Sequence, residues 1–177
     1  GPQQTGVSQG RLPDGATNIA SFAVSVSPGV SNFQPLTQVV INEVLTHTDP
    51  PQVDTIELHN ATATPVHISG WFLTDDPGEP MKYAIPTNTT IAAGGYVLFT
   101  ENQFGPGGAN AFALSSLGEE IYLFSGDGTN ITGYRHGFEF GAQTNGVALG
   151  RHVTSDGKEH FVTHTANSLG SANAGPK

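Results

Sequence analysis

The chain has 177 residues, of which 36% are hydrophobic and only 12% are charged, and it contains no cysteine. Its formal net charge is −9, and its three Arg and three Lys are not clustered, which argues against nucleic acid and anionic membranes as partners because basic clusters bind both. The lack of cysteine excludes disulfides and thiolate zinc sites, and no apolar run approaches the roughly 18 residues that insertion into a membrane requires.

The first 37 residues differ from the rest of the chain. They open with "GVSQGRLPDG" (6–15), a stretch typical of turns. An apolar and polar alternation, "IASFAVSVS" (19–27), follows it. Because such a stretch should not stay solvated, we expect it to lie against the 38–176 sandwich or to pair with a partner chain at a strand edge.

From residue 39 onward the apolar pattern has the period of two that is typical of β-strands. Nine strands are predicted, at 39–45, 53–60, 64–75, 81–86, 95–100, 110–115, 120–126, 131–140 and 158–164. They recur roughly every eight to twelve residues with turn residues between them, a spacing that indicates an antiparallel sandwich or barrel. No stretch keeps a helical period, so no helix is predicted.

The opening motif recurs near the end of the chain. "GVALGRHVTSDG" (146–157) repeats the pattern of residues 6–15 at an offset of 140, and "SLGSANAGP" (168–176) repeats "SPGVSNFQP" (27–35) at an offset of 141. The end of one unit therefore occurs twice and its beginning once. This predicts that residues 1–37 correspond to the tail end of a preceding copy and that residues 38–177 form one whole domain.

Several motifs resemble the lamin tail domain in its bacterial form. They are Ile41-Asn42-Glu43, "IELHN" (56–60), "VHISGW" (66–71), "LTDD" (73–76), "YAIPTNTTIAAGGYVLF" (83–99), "FALSSLGEEIYLF" (112–124) and the closing 145–176. The resemblance spans about residues 38–176, and the motifs are specific when taken together. It implies an all-β fold, an immunoglobulin-like antiparallel β-sandwich.

The resemblance also implies a role. Such domains occur in exported and surface proteins of bacteria, often in tandem, so we expect a non-catalytic structural or interaction module in a larger extracellular or cell-surface protein. No signal peptide is present in this sequence. Neighbouring domains, other proteins or glycans are the expected partners. The alternative is a carbohydrate-binding or calcium-binding accessory module attached to an enzyme.

Asp75, Asp76 and Glu79 are the candidate metal ligands. They lie within five residues, in "TDDPGEP", and carboxylate oxygens are the ligands that Ca²⁺ prefers. The simpler interpretation is an acidic turn, because Asp, Pro and Gly are all turn formers. No other cofactor is predicted.

No catalytic residue is predicted. The seven histidines lack the spacing of a metal site, His47 and Asp49 have no nucleophile nearby, and Glu119 and Glu120 should point to opposite faces of a strand. We expect Trp71, the only tryptophan, to lie in the core, although an exposed Trp71 would favour glycan binding. Arg151 is expected to make a structural hydrogen bond or ion pair.

Overall fold

The computed structural model describes residues 4–108 and 110–177, so residues 1–3 of the predicted N-terminal segment lie outside it. The strands are β1 (Ser8–Arg11), β2 (Ile19–Phe22), β3 (Gln34–Pro35), β4 (Val39–Leu45), β5 (Thr55–Asn60), β6 (Val66–His67), β7 (Phe72–Thr74), β8 (Tyr83–Ala84), β9 (Thr90–Ile91), β10 (Tyr96–Thr100), β11 (Gly118–Gly126), β12 (Ile131–Gly141), β13 (Leu149–Val153) and β14 (Glu159–Thr163). A single-turn helix, α1 (Glu101–Phe104), follows β10. Within the described ranges, no helix has the length and apolar character needed to cross a membrane.

Two five-stranded sheets form the body of the protein. Sheet I has the order β10-β5-β4-β13-β14, and sheet II has the order β3-β12-β11-β7-β8. All pairings are antiparallel except that of the short β3 with β12. Side chains from both sheets meet in one apolar core that includes Ile41, Ile56, Leu58, Leu73, Ile121 and Leu123. The chain is thus an immunoglobulin-like β-sandwich, as predicted.

The register of β4 against β5 decides which side chains face outward. Ile56 and Leu58 of β5 point into the core, so the intervening Glu57 points to the outer face of sheet I. A bulge at Asn42 shifts the pairing, so that Ile41 faces Leu58 whereas Glu43 faces Glu57. Bulges commonly re-aim side chains in this way. Two glutamates therefore lie side by side on the outer face.

Some local predictions were wrong. Residues 111–115 form no strand although Phe112 and Leu114 are buried, because Phe112 stacks on Phe104 at 4.6 Å between ring centroids instead of joining a sheet. The helix α1 was not predicted; Gln103 begins it by accepting a hydrogen bond from the Thr100 amide at 2.9 Å. Strands β1 and β13 lie in the repeated motif, which the sequence pattern had indicated to be typical of turns.

The N-terminal stretch 19–27 packs less than expected. Strand β2 pairs with β1 as a separate two-stranded sheet, and Phe22 is buried. Ile19, Val24 and Val26 are 64%, 83% and 53% exposed, so the sandwich does not cover these three residues, and pairing with a partner chain stays a prediction. The division of the chain at residue 37 stays a prediction.

Candidate functional site

A buried pair of glutamates is the most unusual chemical feature of the sandwich. Glu43 and Glu57 have no exposed surface, and they are direct cross-strand partners. Like charges in such a position repel each other, and burial disfavours both charged forms. Burial raises the pKa of Glu57, although hydrogen bonds from Asn42 and the Gly170 amide oppose the shift. Paired buried carboxylates of this kind are found in active sites, so their surroundings decide their role.

The segment 168–173 covers the pair and satisfies it. Glu43 accepts hydrogen bonds from the Ser168 amide at 2.8 Å and from the Ser168 hydroxyl at 2.6 Å. Glu57 accepts one from the Asn42 side chain at 2.7 Å and one from the Gly170 amide. All four carboxylate oxygens are therefore used within the fold. An acid or base needs an oxygen that can reach a substrate proton, and this arrangement offers none.

Asn42 and Asn173 connect the bulge to the same segment. The Asn42 amide group donates to Asn173 Oδ1 at 2.7 Å, and the Asn173 amide group donates to the Arg151 carbonyl at 2.7 Å. The extra residue of the β4 bulge thus ties together β13 and the C-terminal segment. We call Asn42, Glu43, Glu57, Ser168 and Asn173 the polar latch.

His164 lies beside the latch against Gly150. It is 2% exposed, and neither ring nitrogen has a hydrogen-bond partner within the described part of the chain. Burial lowers its pKa, with nearby Glu43 acting in the opposite direction. A neutral ring packed against a glycine has the role of a space-filling side chain rather than a proton carrier.

A second polar cluster lies between the two sheets. His136 of β12 contacts Glu159 of β14 at 2.8 Å, and Arg151 of β13 forms an ion pair with the same carboxylate, as predicted for Arg151. His136 Nδ1 accepts a hydrogen bond from the Ile41 amide at 3.1 Å, which requires the proton to be on Nε2, where it faces Glu159. The cluster joins β12 of sheet II to three strands of sheet I.

Glu159 makes stability dependent on pH. Burial alone would raise its pKa, but the hydrogen bonds from His136 and Arg151 and the positive charge of Arg151 lower it to about 2. A carboxylate with a depressed pKa stabilises the folded state above its unfolded pKa of 4.5, and that contribution is lost as the pH falls towards 2.

We expect Glu159→Gln to destabilise the protein at pH 7 by about 1–2 kcal/mol and to flatten the loss of stability between pH 5 and pH 2. Chemical denaturation across this pH range measures both effects. Glu79→Gln, at a carboxylate whose side chain is 70% exposed, is the control and should leave the pH profile unchanged. A Glu159→Gln profile that parallels the wild type would contradict the account.

The predicted calcium ligands are already engaged. Asp75 accepts a hydrogen bond from Lys82 at 2.7 Å, and Lys82 also lies 3.9 Å from Glu79. Asp76 accepts one from the Gly78 amide at 2.7 Å, the bond of an Asx turn. No group of three His, Cys, Asp or Glu within residues 4–108 and 110–177 is placed to hold a metal. The calcium site stays a prediction; a melting temperature that rises with Ca²⁺ would support it.

The other polar candidates make local contacts. His47 Nδ1 lies 2.9 Å from the Gln143 carbonyl, and Asp49 accepts from Asn145, so this pair fastens the loop around residue 145. Glu119 accepts from the Ser115 amide, whereas Glu120 accepts from the Tyr122 hydroxyl. These two glutamates thus have different partners, as their positions in β11 predict.

Trp71 is half-buried rather than fully enclosed. It packs against the apolar core and also lines a cleft of about 390 Å³. Tyr134, which is 43% exposed, lies on the same cleft with the polar side chains of Gln38, Ser125 and Thr132. The cleft therefore presents an aromatic surface beside hydroxyl and amide groups.

Comparison with known proteins gives one finding. The family model of the Lamin Tail Domain matches residues 33–138, from β3 into β12. No curated protein and no solved structure matched the chain. The match includes both strands of the glutamate pair, β4 and β5, but ends before β13, β14 and the segment that closes the polar latch. Lamin tail domains are immunoglobulin-like structural modules rather than enzymes, and this chain belongs to that family.

Proposed function

We propose that this chain is a non-catalytic spacer or interaction module of a larger exported or cell-surface protein of a bacterium. The observation that carries the proposal is the polar latch. Its two buried glutamates have the chemistry of a catalytic pair, yet three of their four oxygens hold the C-terminal segment on sheet I and the fourth accepts from Asn42 of the β4 bulge. Buried polar groups that are fully satisfied specify and rigidify a fold, which suits a module that holds its neighbours at a fixed distance.

A spacer has to keep its fold under load. We would stretch single molecules of the full chain between handles at its two ends. The proposal predicts a distinct unfolding force peak, because strands β4, β5 and β13 of sheet I must separate before the chain can extend. Extension without a force peak would count against a load-bearing role. Binding of antibody to the chain on intact source cells would test the proposed location, and its failure would count against surface display.

A second function is favoured by the Trp71 cleft. Aromatic faces bind the apolar faces of sugars while neighbouring polar groups accept and donate hydrogen bonds. The cleft presents Trp71 and Tyr134 with two hydroxyl side chains. A carbohydrate-binding accessory module would use this surface.

Because the chain has one tryptophan, its tryptophan emission reports on the surroundings of Trp71. Titration with soluble cell-wall and plant oligosaccharides should shift the emission if the cleft binds sugar, and Tyr134→Ala should weaken the response. Tyr96→Ala, on β10 and stacked on His59 with ring centroids 4.6 Å apart, is the matched control. An emission spectrum that no oligosaccharide changes would exclude this second function for the sugars tested.

A further inference from the structure

The N-terminal and C-terminal hairpins make the same diagnostic contact. In the C-terminal hairpin, β13–β14, the Asn173 side chain donates to the Arg151 carbonyl at 2.7 Å. In the N-terminal hairpin, β1–β2, the Asn32 side chain donates to the Arg11 carbonyl at 3.2 Å. The sequence repeat is therefore also a structural repeat: a hairpin followed by a loop that folds back through an asparagine.

In the C-terminal repeat, this loop is the part that binds the sandwich. Ser168 and Gly170 bind Glu43 and Glu57, and Asn173 accepts from the β4 bulge. The edge of β13 also pairs with β4. The hairpin is thus fixed to an antiparallel strand pair that presents an Asn-Glu dipeptide opposite a second Glu.

The N-terminal repeat has the same groups without that strand pair. Ser27, the counterpart of Ser168, donates instead to Asn32 Oδ1 at 2.9 Å. That oxygen is the counterpart of Asn173 Oδ1, which accepts from Asn42. Within the described residues, β1 pairs only with β2, so its outer edge has no counterpart of β4. Ser27 and Asn32 thus form a hydrogen bond with each other, whereas their counterparts Ser168 and Asn173 bind Glu43 and Asn42.

The apolar side chains of the two hairpins also occupy corresponding positions, but they differ in exposure. Phe161 of β14 stacks on Phe138 of sheet II with ring centroids 3.4 Å apart. Its counterpart in β2 is Ile19, since Arg151 pairs with Phe161 and Arg11 pairs with Ile19. Ile19 is 64% exposed. Three further exposed apolar side chains follow it on the hairpin and its loop: Val24, Val26 and Val30.

We propose that residues 6–32 are a docking surface for a second lamin tail sandwich that lacks a closing hairpin of its own. The occupant is a strand pair with an Asn-Glu dipeptide facing a second Glu, which would extend the sheet at the β1 edge, take hydrogen bonds from Ser27 and Gly29, and donate one to Asn32 Oδ1. Strand addition of this kind supplies backbone hydrogen bonds for affinity and side-chain pairing for specificity. The chain's own β4 and β5 are already occupied by the C-terminal segment.

A graft on the full chain tests the proposal. A second copy of residues 33–145 is placed before Gly6, so that Asn145 is followed by Gly6 as it is naturally followed by Gly146. We expect the grafted residues to fold by using the N-terminal hairpin, giving a second cooperative unfolding transition and slowed hydrogen exchange at the Ser27 and Gly29 amides. A companion graft with Gln9→Leu supplies the apolar side chain that Leu149 provides in the C-terminal hairpin.

Substitutions in the graft separate docking from independent folding. Ser27→Ala with Asn32→Ala should lower the unfolding midpoint of the grafted unit only, whereas Ser31→Ala, at an exposed neighbouring serine, should leave both transitions unchanged. The proposal is overturned if the grafted residues stay unfolded in both grafts, or if they fold equally well with the double substitution. Neither result depends on whether the parent protein is exported.

Discussion

Gly150→Ala is expected to cost the protein about 3 kcal/mol or more of folding free energy, enough to unfold a marginally stable domain. A Cβ at residue 150 would lie 1.7 Å from His164 Cε1 and 2.2 Å from His164 Nε2. The ring is 2% exposed and cannot swing into solvent. The β13 backbone is also fixed, because Gly150 pairs with Glu43 of β4 on one side and with Val162 of β14 on the other. The added methyl group therefore has to displace either the ring or a central strand.

Denaturant unfolding of a double-mutant cycle measures this effect. Removing the ring in Gly150→Ala/His164→Ala should recover much of the stability lost in Gly150→Ala, since the two groups compete for one space. Gly141→Ala is the matched control: its added Cβ would have no atom within 4 Å, and we expect a change within about 0.5 kcal/mol. Additive single-mutant effects, with no recovery in the double mutant, would show that the ring and the glycine do not form one packing unit.

Asn60→Asp is the second substitution with a large expected effect. The Asn60 amide group donates to three backbone carbonyls, those of Thr64 at 2.8 Å, Ile91 at 3.1 Å and Ala92 at 3.0 Å. Its Oδ1 accepts from the amide and hydroxyl of Thr62. The residue has no exposed surface. Aspartate keeps the shape but turns a buried oxygen towards three carbonyl oxygens, so we expect a loss of about 3–5 kcal/mol.

This loss should decrease at low pH, where protonated aspartic acid regains a donor. Denaturation at pH 7 and pH 4 checks both statements. Asn18→Asp, at an exposed asparagine, introduces the same charge without the buried network and should be close to neutral. A stable Asn60→Asp protein would mean that this corner between β5 and β9 does not depend on the asparagine. The Asn-Ala-Thr triplet at residue 60 resembles a glycosylation signal, but its side chain is enclosed by the fold.

The sequence predicts the central strands well because their pattern is local. Strand β4 occupies the predicted residues 39–45, and the alternation of Ile56 and Leu58 correctly indicates the inward face of β5. The family motifs also lie in these strands, so fold class and family could both be stated before the structure. The prediction of a strand at 110–115 was wrong, because its apolar side chains are buried by aromatic stacking. Alternation with a period of two does not distinguish such burial from sheet pairing.

The polar latch could not be predicted from sequence. Its members in β4 and β5 are separated from its C-terminal members by more than a hundred residues, as in the bonds from Ser168 to Glu43 and from Asn42 to Asn173. The bulge at Asn42, which brings Glu43 opposite Glu57, has no signature in "VVINEVL" such as the glycine that marks some bulges. One signal was present: each of the two strands contains a single glutamate, Glu57 between Ile56 and Leu58 and Glu43 in the mostly apolar run 39–45, and buried charge requires a partner.

The exposed apolar side chains of the N-terminal hairpin show what a local sequence pattern does not predict. The alternation in 19–27 correctly indicates a face that prefers burial, but it does not specify the element that covers it. In the C-terminal repeat the equivalent position, Phe161, is covered by Phe138. In the N-terminal repeat Ile19 is 64% exposed and, among the described residues, is not part of the apolar core. The sequence pattern therefore indicates that these apolar side chains need a covering element. Only the comparison of the two repeats indicates the chemistry of that element.

We propose that the buried glutamates of sheet I serve the fold and not a reaction. The free energy of unfolding of Glu43→Gln, measured by urea denaturation at pH 7 beside wild type and Glu79→Gln, tests it most directly. Glutamine keeps the size of the side chain but can accept from only one of the two Ser168 groups, so we predict a loss of about 2 kcal/mol. A Glu43→Gln protein as stable as wild type, or more stable, would contradict the claim, because functional groups are held at a cost in stability that their replacement relieves.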